Sequence, residues 1–257
     1  MKTPHIAAQL YTVRDFLTTP AAIAASLKKL KNIGYQAVQL SGLGPIEPAT
    51  LVGMLNDTGL VCCATHEDSN LILNEPLAVV KLLKAYGCTI TAYPYPGGYP
   101  CDTLENVKEL AKKLNAAGKV LYDNGCVLCY HNHHIEFKRV GGKPALQVIF
   151  EETDPRYLQG EPDTYWVQYG GGDPVAWCTY LHNRLPILHM KDFVITRENK
   201  ISFAEIGCGN LDWQRIITAA ENSGCQWFCV EQDTCPGDPF DSLKKSFNYI
   251  TTTLCSA

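Results

Sequence analysis

Eight short apolar, β-branched or aromatic runs, each introduced by glycine or another turn signal and separated from the next by a helical pattern, constrain the fold of this chain more than any other feature. They are Ile6 to Leu10, Ala37 to Leu40, Val61 to Thr65, Cys88 to Tyr93, Cys126 to His131, Tyr157 to Asp163, Ile187 to Met190 and Trp227 to Glu231. Between them, apolar residues recur at helical spacing in Pro20 to Asn32, Pro48 to Asn56, Leu77 to Tyr86, Leu104 to Asp123 and Leu211 to Ser223. Gly34, Gly59, Gly87, Gly125 and Gly224 each stand between a helix candidate and the next strand, where a left-handed helix cap favours glycine. Eight β-then-α units predict an α/β chain folded as a single (β/α)8 TIM barrel spanning residues 1–257. A doubly wound open sheet is the competitor, but it would set strand ends on two sides of a switch point rather than in one ring.

With 257 residues, 46% of them hydrophobic, the chain can bury a core of that size. No linker divides it. The run from Ala92 to Pro100, rich in Pro, Gly and Tyr, follows the fourth strand and reads as a long loop at the barrel mouth, walling a pocket or covering the core. A formal net charge of −4 gives no basic footprint for nucleic acid or an anionic membrane, and a small polar molecule is the simpler partner. Met1 to His5 carries no apolar run of signal-peptide length, and no stretch reaches membrane-span length, so a cytoplasmic protein is expected. The twelve cysteines are scattered among apolar residues and read as small buried hydrophobes. Cys126 and Cys129 are three apart on a strand, which points them to opposite faces and weakens a redox or zinc reading.

In a barrel the C-terminal strand ends share one site, so polar residues there are candidates for chemistry. The fifth strand ends in His131 and His133, on one face, with Glu136 following in the loop. The sixth ends in Glu161-Pro162-Asp163, where an aspartate could simply cap the next helix. On the seventh, apolar until His189, Lys191 shares the histidine's face and offers a cation for a substrate oxyanion. The eighth places Glu231 at the end of a buried strand, where an unpaired charge would be costly and a metal is a good partner. A carboxylate and imidazole shell without thiolates suits one divalent ion such as Mn, Mg, Co or Zn, with coordination positions left for substrate oxygens. Gln9 and Tyr11 share a face at the end of the first strand with Arg14 beyond them, and His66 follows the third.

Taken together, these motifs make the chain resemble the xylose isomerase-like TIM barrels, specifically the sugar phosphate isomerase/epimerase group, over nearly its whole length. The resemblance rests on Gln9 to Arg14, His131 to Phe137, Asp163 to Trp166 with Gly171 to Pro174, His189 to Asp192, Gly207 to Trp213 and Val230 to Asp233. It implies one divalent ion with a ligand from each of the last four strands. By motif those are Asp163, His189 and Glu231, plus a fifth-strand residue. The best-known isomerases carry glutamate there; this chain has His131, so either His131 or Glu136 completes the set.

The implied chemistry is proton abstraction next to a carbonyl of a carbohydrate, leading to isomerisation or epimerisation. His133 or Glu231 would be the base, Lys191 and His66 would contact substrate oxygens, and Gln9, Tyr11, Arg14, Trp166 and Asp233 would bind substrate. The histidine on the fifth strand also resembles keto-sugar and keto-inositol dehydratases and lyases, in which the enolate expels a β-leaving group. Two other classes share the barrel: a non-catalytic carbohydrate-binding subunit and an apurinic endonuclease relative, the latter at odds with the charge of −4. The resemblance leaves room for a homo-oligomer or a partner subunit.

Overall fold

A computed structural model describes residues 1–2 and 5–255. Thr3 and Pro4 of the leading segment, and Ser256 and Ala257 at the end of the expected domain, lie outside the described residues. The first half alternates as expected: β1 (Ile6–Gln9), α1 (Pro20–Ile33), β2 (Ala37–Leu40), α2 (Pro48–Thr58), β3 (Val61–His66), α3 (Ser69–Asn74), α4 (Pro76–Tyr86), β4 (Ile90–Tyr93) and α5 (Leu104–Asp123). The second half adds β5 (Val127–His131), a short ribbon of β6 (Arg139–Val140) and β7 (Lys143–Pro144), α6 (Ala145–Glu151), β8 (Gln159–Glu161), α7 (Thr164–Tyr169) and α8 (Pro174–Tyr180). It ends with β9 (Ile187–Met190), a ribbon of β10 (Asp192–Ile195) and β11 (Ile201–Ala204), α9 (Trp213–Asn222), β12 (Trp227–Val230) and α10 (Pro239–Tyr249).

Eight strands pair in parallel in the order β8-β5-β4-β3-β2-β1-β12-β9. The circle closes between β8 and β9 through a single bridge, Asp163 opposite His189, where the His189 amide donates to the Pro162 carbonyl at 3.0 Å. Lower on the same seam the Gly160 amide donates to the Arg184 carbonyl at 2.7 Å. A Cβ on Gly160 would lie 2.5 Å from Leu181 Cδ1, so glycine lets the segment after α8 close on β8. The expected TIM barrel is therefore the observed fold.

Local sequence explains the helix starts. Thr19, Asp68, Thr103, Asp163, Asp173, Asp212 and Asp238 each accept a hydrogen bond from a first-turn amide through the side chain. All five expected cap glycines have positive φ, with Gly59 and Gly87 squarely in the left-handed region. The sixth strand is shorter than expected, Gln159–Glu161 instead of Tyr157 to Asp163. Tyr157 and Leu158 turn back on the Asp154 carbonyl, and Pro162 has no amide with which to extend the ladder.

Outward strand residues such as Val38, Leu128, Tyr130, Leu188, Phe228 and Val230 pack against the helices. Inward ones form a separate cluster of mostly small side chains: Ala7, Ala37, Cys63, Ala64, Ile90, Ala92, Cys129, Ile187 and Cys229. One pleat further along the same strands the inward residues are Gln9, Gln39, His131, Glu161, His189 and Glu231. Cys126 and Cys129 are buried free thiols, in keeping with the apolar reading. Among the described residues no helix is long and apolar enough to cross a membrane.

Candidate metal centre and the cavity above it

The upper inward layer converges on Glu161, a fully buried carboxylate. Its Oε1 lies 2.5 Å from His66 Nε2, 2.7 Å from His189 Nε2 and 3.4 Å from His131 Nδ1, while Oε2 accepts from Gln39 Nε2 at 2.9 Å. His189 stands between two carboxylates, because its Nδ1 lies 3.0 Å from Glu231 Oε2 and 3.9 Å from Asp163 Oδ2. Beyond it Lys191 is almost wholly buried, with Nζ 2.9 Å from Asp163 Oδ2, 2.8 Å from Glu231 Oε2 and 3.1 Å from Asp233 Oδ1.

The charges in this cluster sustain one another. Burial disfavours the ammonium of Lys191, but Asp163, Glu231 and Asp233 outweigh burial and raise its pKa above the usual lysine value. Burial likewise opposes a charge on His189, and Glu161 and Glu231 overcome it, pushing the pKa up to about 10. Glu161 and Glu231 are held well below the ordinary glutamate range against burial, by His189 and His66 in one case and by Lys191 and His189 in the other. Asp163 is the exception: burial, aided by Glu231, pushes it up to about 6 although Lys191 opposes.

Two overlapping groups could hold a metal ion. One comprises His66, His131, Glu161 and His189, the other His131, Asp163, His189 and Glu231, and in each the ligand atoms lie within 4.8 Å of one another. Ligands bonded to a single ion at about 2.1 Å stand roughly 3 to 4.2 Å apart, so either group would draw in slightly to hold one. His131 Nδ1 and Asp163 Oδ2 are buried without a hydrogen-bond partner, even though Lys191 is within ion-pair distance of the latter. Orphaned acceptors of this kind are what a cation would satisfy.

A cavity of about 560 Å³ opens above the cluster, walled in part by Tyr11, Arg14, His66, His133, Lys191 and Asp233. His133 presents an Nδ1 with no partner, and burial together with Lys191 pushes its pKa down to about 3, so the ring is neutral. Pro94 and Tyr95 wall the cavity, whereas Tyr99 packs against the hydrophobic core, so the loop after β4 serves both the pocket and the core.

Three expected site residues sit elsewhere. Glu136 belongs to neither metal group, because its carboxylate accepts from Tyr130 Oη at 3.0 Å and from the His133 amide at 2.9 Å. Burial pushes its pKa up to about 7. Gln9 does not line the cavity; it is fully buried and its Oε1 accepts from the Tyr11 amide. Trp166 also stands behind the wall, packed against His133, His134 and Tyr165. Conversely, Glu161 and Gln39 were not among the expected site residues. Their alternation with Asp163 and Ala37 on inward faces was the available signal.

A family model described as the xylose isomerase-like TIM barrel matches residues 27–252. The chain belongs to that family. Among curated relatives of this xylose isomerase-like barrel is the inosose dehydratase of Clostridium tetani, 29% identical over 168 residues that cover 59% of this chain and 56% of the relative. The chain thus spans a little over half the length of the curated relatives it matches. Among solved structures, a sugar phosphate isomerase/epimerase from Parabacteroides distasonis superposes with a TM-score of 0.84 at 21% identity, over 98% of this chain and 95% of that one. A xylose isomerase-like barrel from Mycobacterium smegmatis in complex with magnesium gives 0.73 at 14%, over 99% and 98%. At those identities the two likenesses show the fold.

Proposed function

We propose that this chain is a metal-dependent lyase that removes a proton next to the carbonyl of a keto-sugar or keto-inositol and expels the β-hydroxyl as water. The observation that carries the reading is the convergence of His131, Asp163, His189 and Glu231 beneath a cavity large enough for a sugar. This group has a donor from each of the last four barrel strands and includes both orphaned acceptors. In the other group, Glu161 is already satisfied by His66, His189 and Gln39, which suits it to orienting the imidazoles. A divalent ion held by the four would polarise the substrate carbonyl and favour the adjacent carbanion.

The remaining steps fall to side chains. His133 faces the cavity with an unpartnered ring nitrogen and is the base. Burial first and Lys191 second keep this ring neutral, and negative charge developing on the substrate offsets the Lys191 contribution, so the proton is held once it has been taken. Glu231 suits that role less, since Oε2 is already engaged by His189 and Lys191. The Lys191 ammonium supports the oxyanion, and His66 contacts a hydroxyl. As the electron pair from the C–H bond forms the double bond, the β C–O bond breaks and the hydroxyl leaves as water, taking up the proton that His133 has held.

Elimination is preferred over the isomerisation that the family resemblance first suggests. The fifth-strand carboxylate of the isomerases is replaced by His131, and Glu136 is bonded elsewhere. The inosose dehydratase relatives support the same choice. Incubation with Mn and an inosose in deuterated water tests it. Loss of water with appearance of an enone or diketone chromophore is expected. Deuterium uptake with no loss of water would identify an isomerase, and neither outcome across inososes and 3-keto-glycosides would sink the reading.

A further inference from the structure

We propose that the crevice between the loops after β2 and β3 is a second sugar subsite, which makes the substrate a keto-disaccharide rather than a single ring. The inference rests on the reaction proposed for the neighbouring centre and extends the ligand beyond it.

A second cavity, of about 320 Å³, lies beside the main one. Ser41, His66 and Glu67 line both, so they form the neck between the two. Ligand pockets run from roughly 300 to 1,000 Å³, and the crevice is therefore large enough to take a ring of its own. Its position suits a ring linked to one over the metal centre, because at the neck His66 Nε2 lies 2.5 Å from Glu161 Oε1.

Beyond the neck the loop after β2 supplies Leu43, Pro45 and Ile46, and α4 supplies Tyr86. Leu43 and Ile46 also pack against the hydrophobic core. This loop is anchored on the segment that follows β1: the Gly44 amide donates to the Leu17 carbonyl at 2.8 Å, and a Cβ on Gly44 would lie 2.7 Å from the Thr18 carbonyl oxygen. Glycine is what permits that approach, and the wall it fixes is in place before any ligand arrives.

The lining selects the occupant. Leu43, Pro45 and Ile46 offer apolar surface to the C–H face of a sugar ring, while Ser41 Oγ, Tyr86 Oη and the Glu67 carboxylate can bond its hydroxyls. A plain alkyl or aryl substituent would cover those polar groups without pairing them. Among the described residues that line the crevice there is no lysine or arginine, and Glu67 would repel a phosphate or carboxylate substituent.

Isothermal titration of the magnesium-loaded protein with 3-ketocellobiose, 3-ketolactose and 3-ketotrehalose, each against its one-ring 3-keto-hexose, provides the test. At least one disaccharide should bind about tenfold or more tightly than its single ring, a gain of about 1.4 kcal/mol. Ile46→Trp fills the crevice and should bring that disaccharide to the affinity of the single ring, which itself stays as it was. Tyr86→Phe removes one hydroxyl and should weaken the disaccharide alone by roughly two- to tenfold, as loss of a single hydrogen bond does. If Ile46→Trp does not fold, Tyr86→Phe decides. Equal affinity for one ring and two across the series, or a preference for two rings that the folded variants leave intact, would overturn the inference. Equal affinities with the single ring still losing water would remove the subsite and leave the proposed reaction standing. Tight disaccharide binding that responds to the variants but yields no loss of water would do the reverse.

Discussion

The lower and upper inward layers of the barrel lie one pleat apart on the same strands, yet they have opposite chemistry. Cys129 precedes His131, Ile187 precedes His189, Cys229 precedes Glu231 and Ala37 precedes Gln39. The lower layer is mostly small and apolar; the upper is buried too but polar and largely charged. What separates them is access to partners. Most upper residues meet a group of opposite charge or matching polarity on another strand, as Gln39 does with both Glu161 and His189, whereas Gln9 bonds back to the Tyr11 amide. The lower layer fills space, and the upper layer stores charge that only converging strands can make tolerable.

Replacing His189 by Ala strikes the upper layer at the residue that touches three carboxylates. Mn affinity should fall by at least about 100-fold, the upper end of what loss of an orienting neighbour alone produces. Turnover should vanish with it, while the barrel still folds. Equilibrium dialysis with elemental analysis gives the metal content, and a variant that kept its full complement would show that the charged layer is structural.

The converse perturbation enlarges the lower layer. Ala92 is fully buried among small neighbours, so Ala92→Leu should overpack the floor and cost about 1–3 kcal/mol of stability. Denaturant unfolding measures the loss. Metal affinity measured below the transition should change little, and a collapse of affinity at small stability cost would show that floor and ring are one unit.

This contrast also explains what the sequence disclosed. Strands, cap glycines and capping Asp or Thr residues are local signals, and all eight barrel strands lie where alternation with helices places them. His131, His189 and Glu231 were legible because a polar residue ended an apolar run. Glu161 was harder to read, since Gln159-Gly160-Glu161 contains no apolar residue and looks solvated until three imidazoles from other strands surround it. Glu136 misled for the opposite reason. Its spacing from His131 allowed it to reach the cluster, but the tertiary partner Tyr130 and the local His133 amide captured it. Likewise no local signal announces the β10 and β11 ribbon, because Asp192 organises the segment through contacts up to 21 residues away in the chain.

Glu136 offers the smallest and most selective test of the boundary between the two kinds of burial. It is as buried as the candidate metal ligands, but its contacts are a phenol and an amide rather than cations, and its pKa moves up to about 7 from the usual 4.5. An acid whose folded pKa is raised contributes stability that is fully present below the unfolded pKa and is lost as the pH climbs through the folded one. For Glu136 that loss runs between about pH 4.5 and 7. Glu136→Gln keeps an oxygen for the His133 amide, lets Tyr130 Oη turn from donor to acceptor, and cannot ionise. The difference in Tm between this variant and the parent should therefore rise in the variant's favour across that window and level off above it. Thermal unfolding of the pair at half-unit pH steps would show this, and a flat difference would mean that Glu136 has a cationic partner after all and belongs with the charged ring.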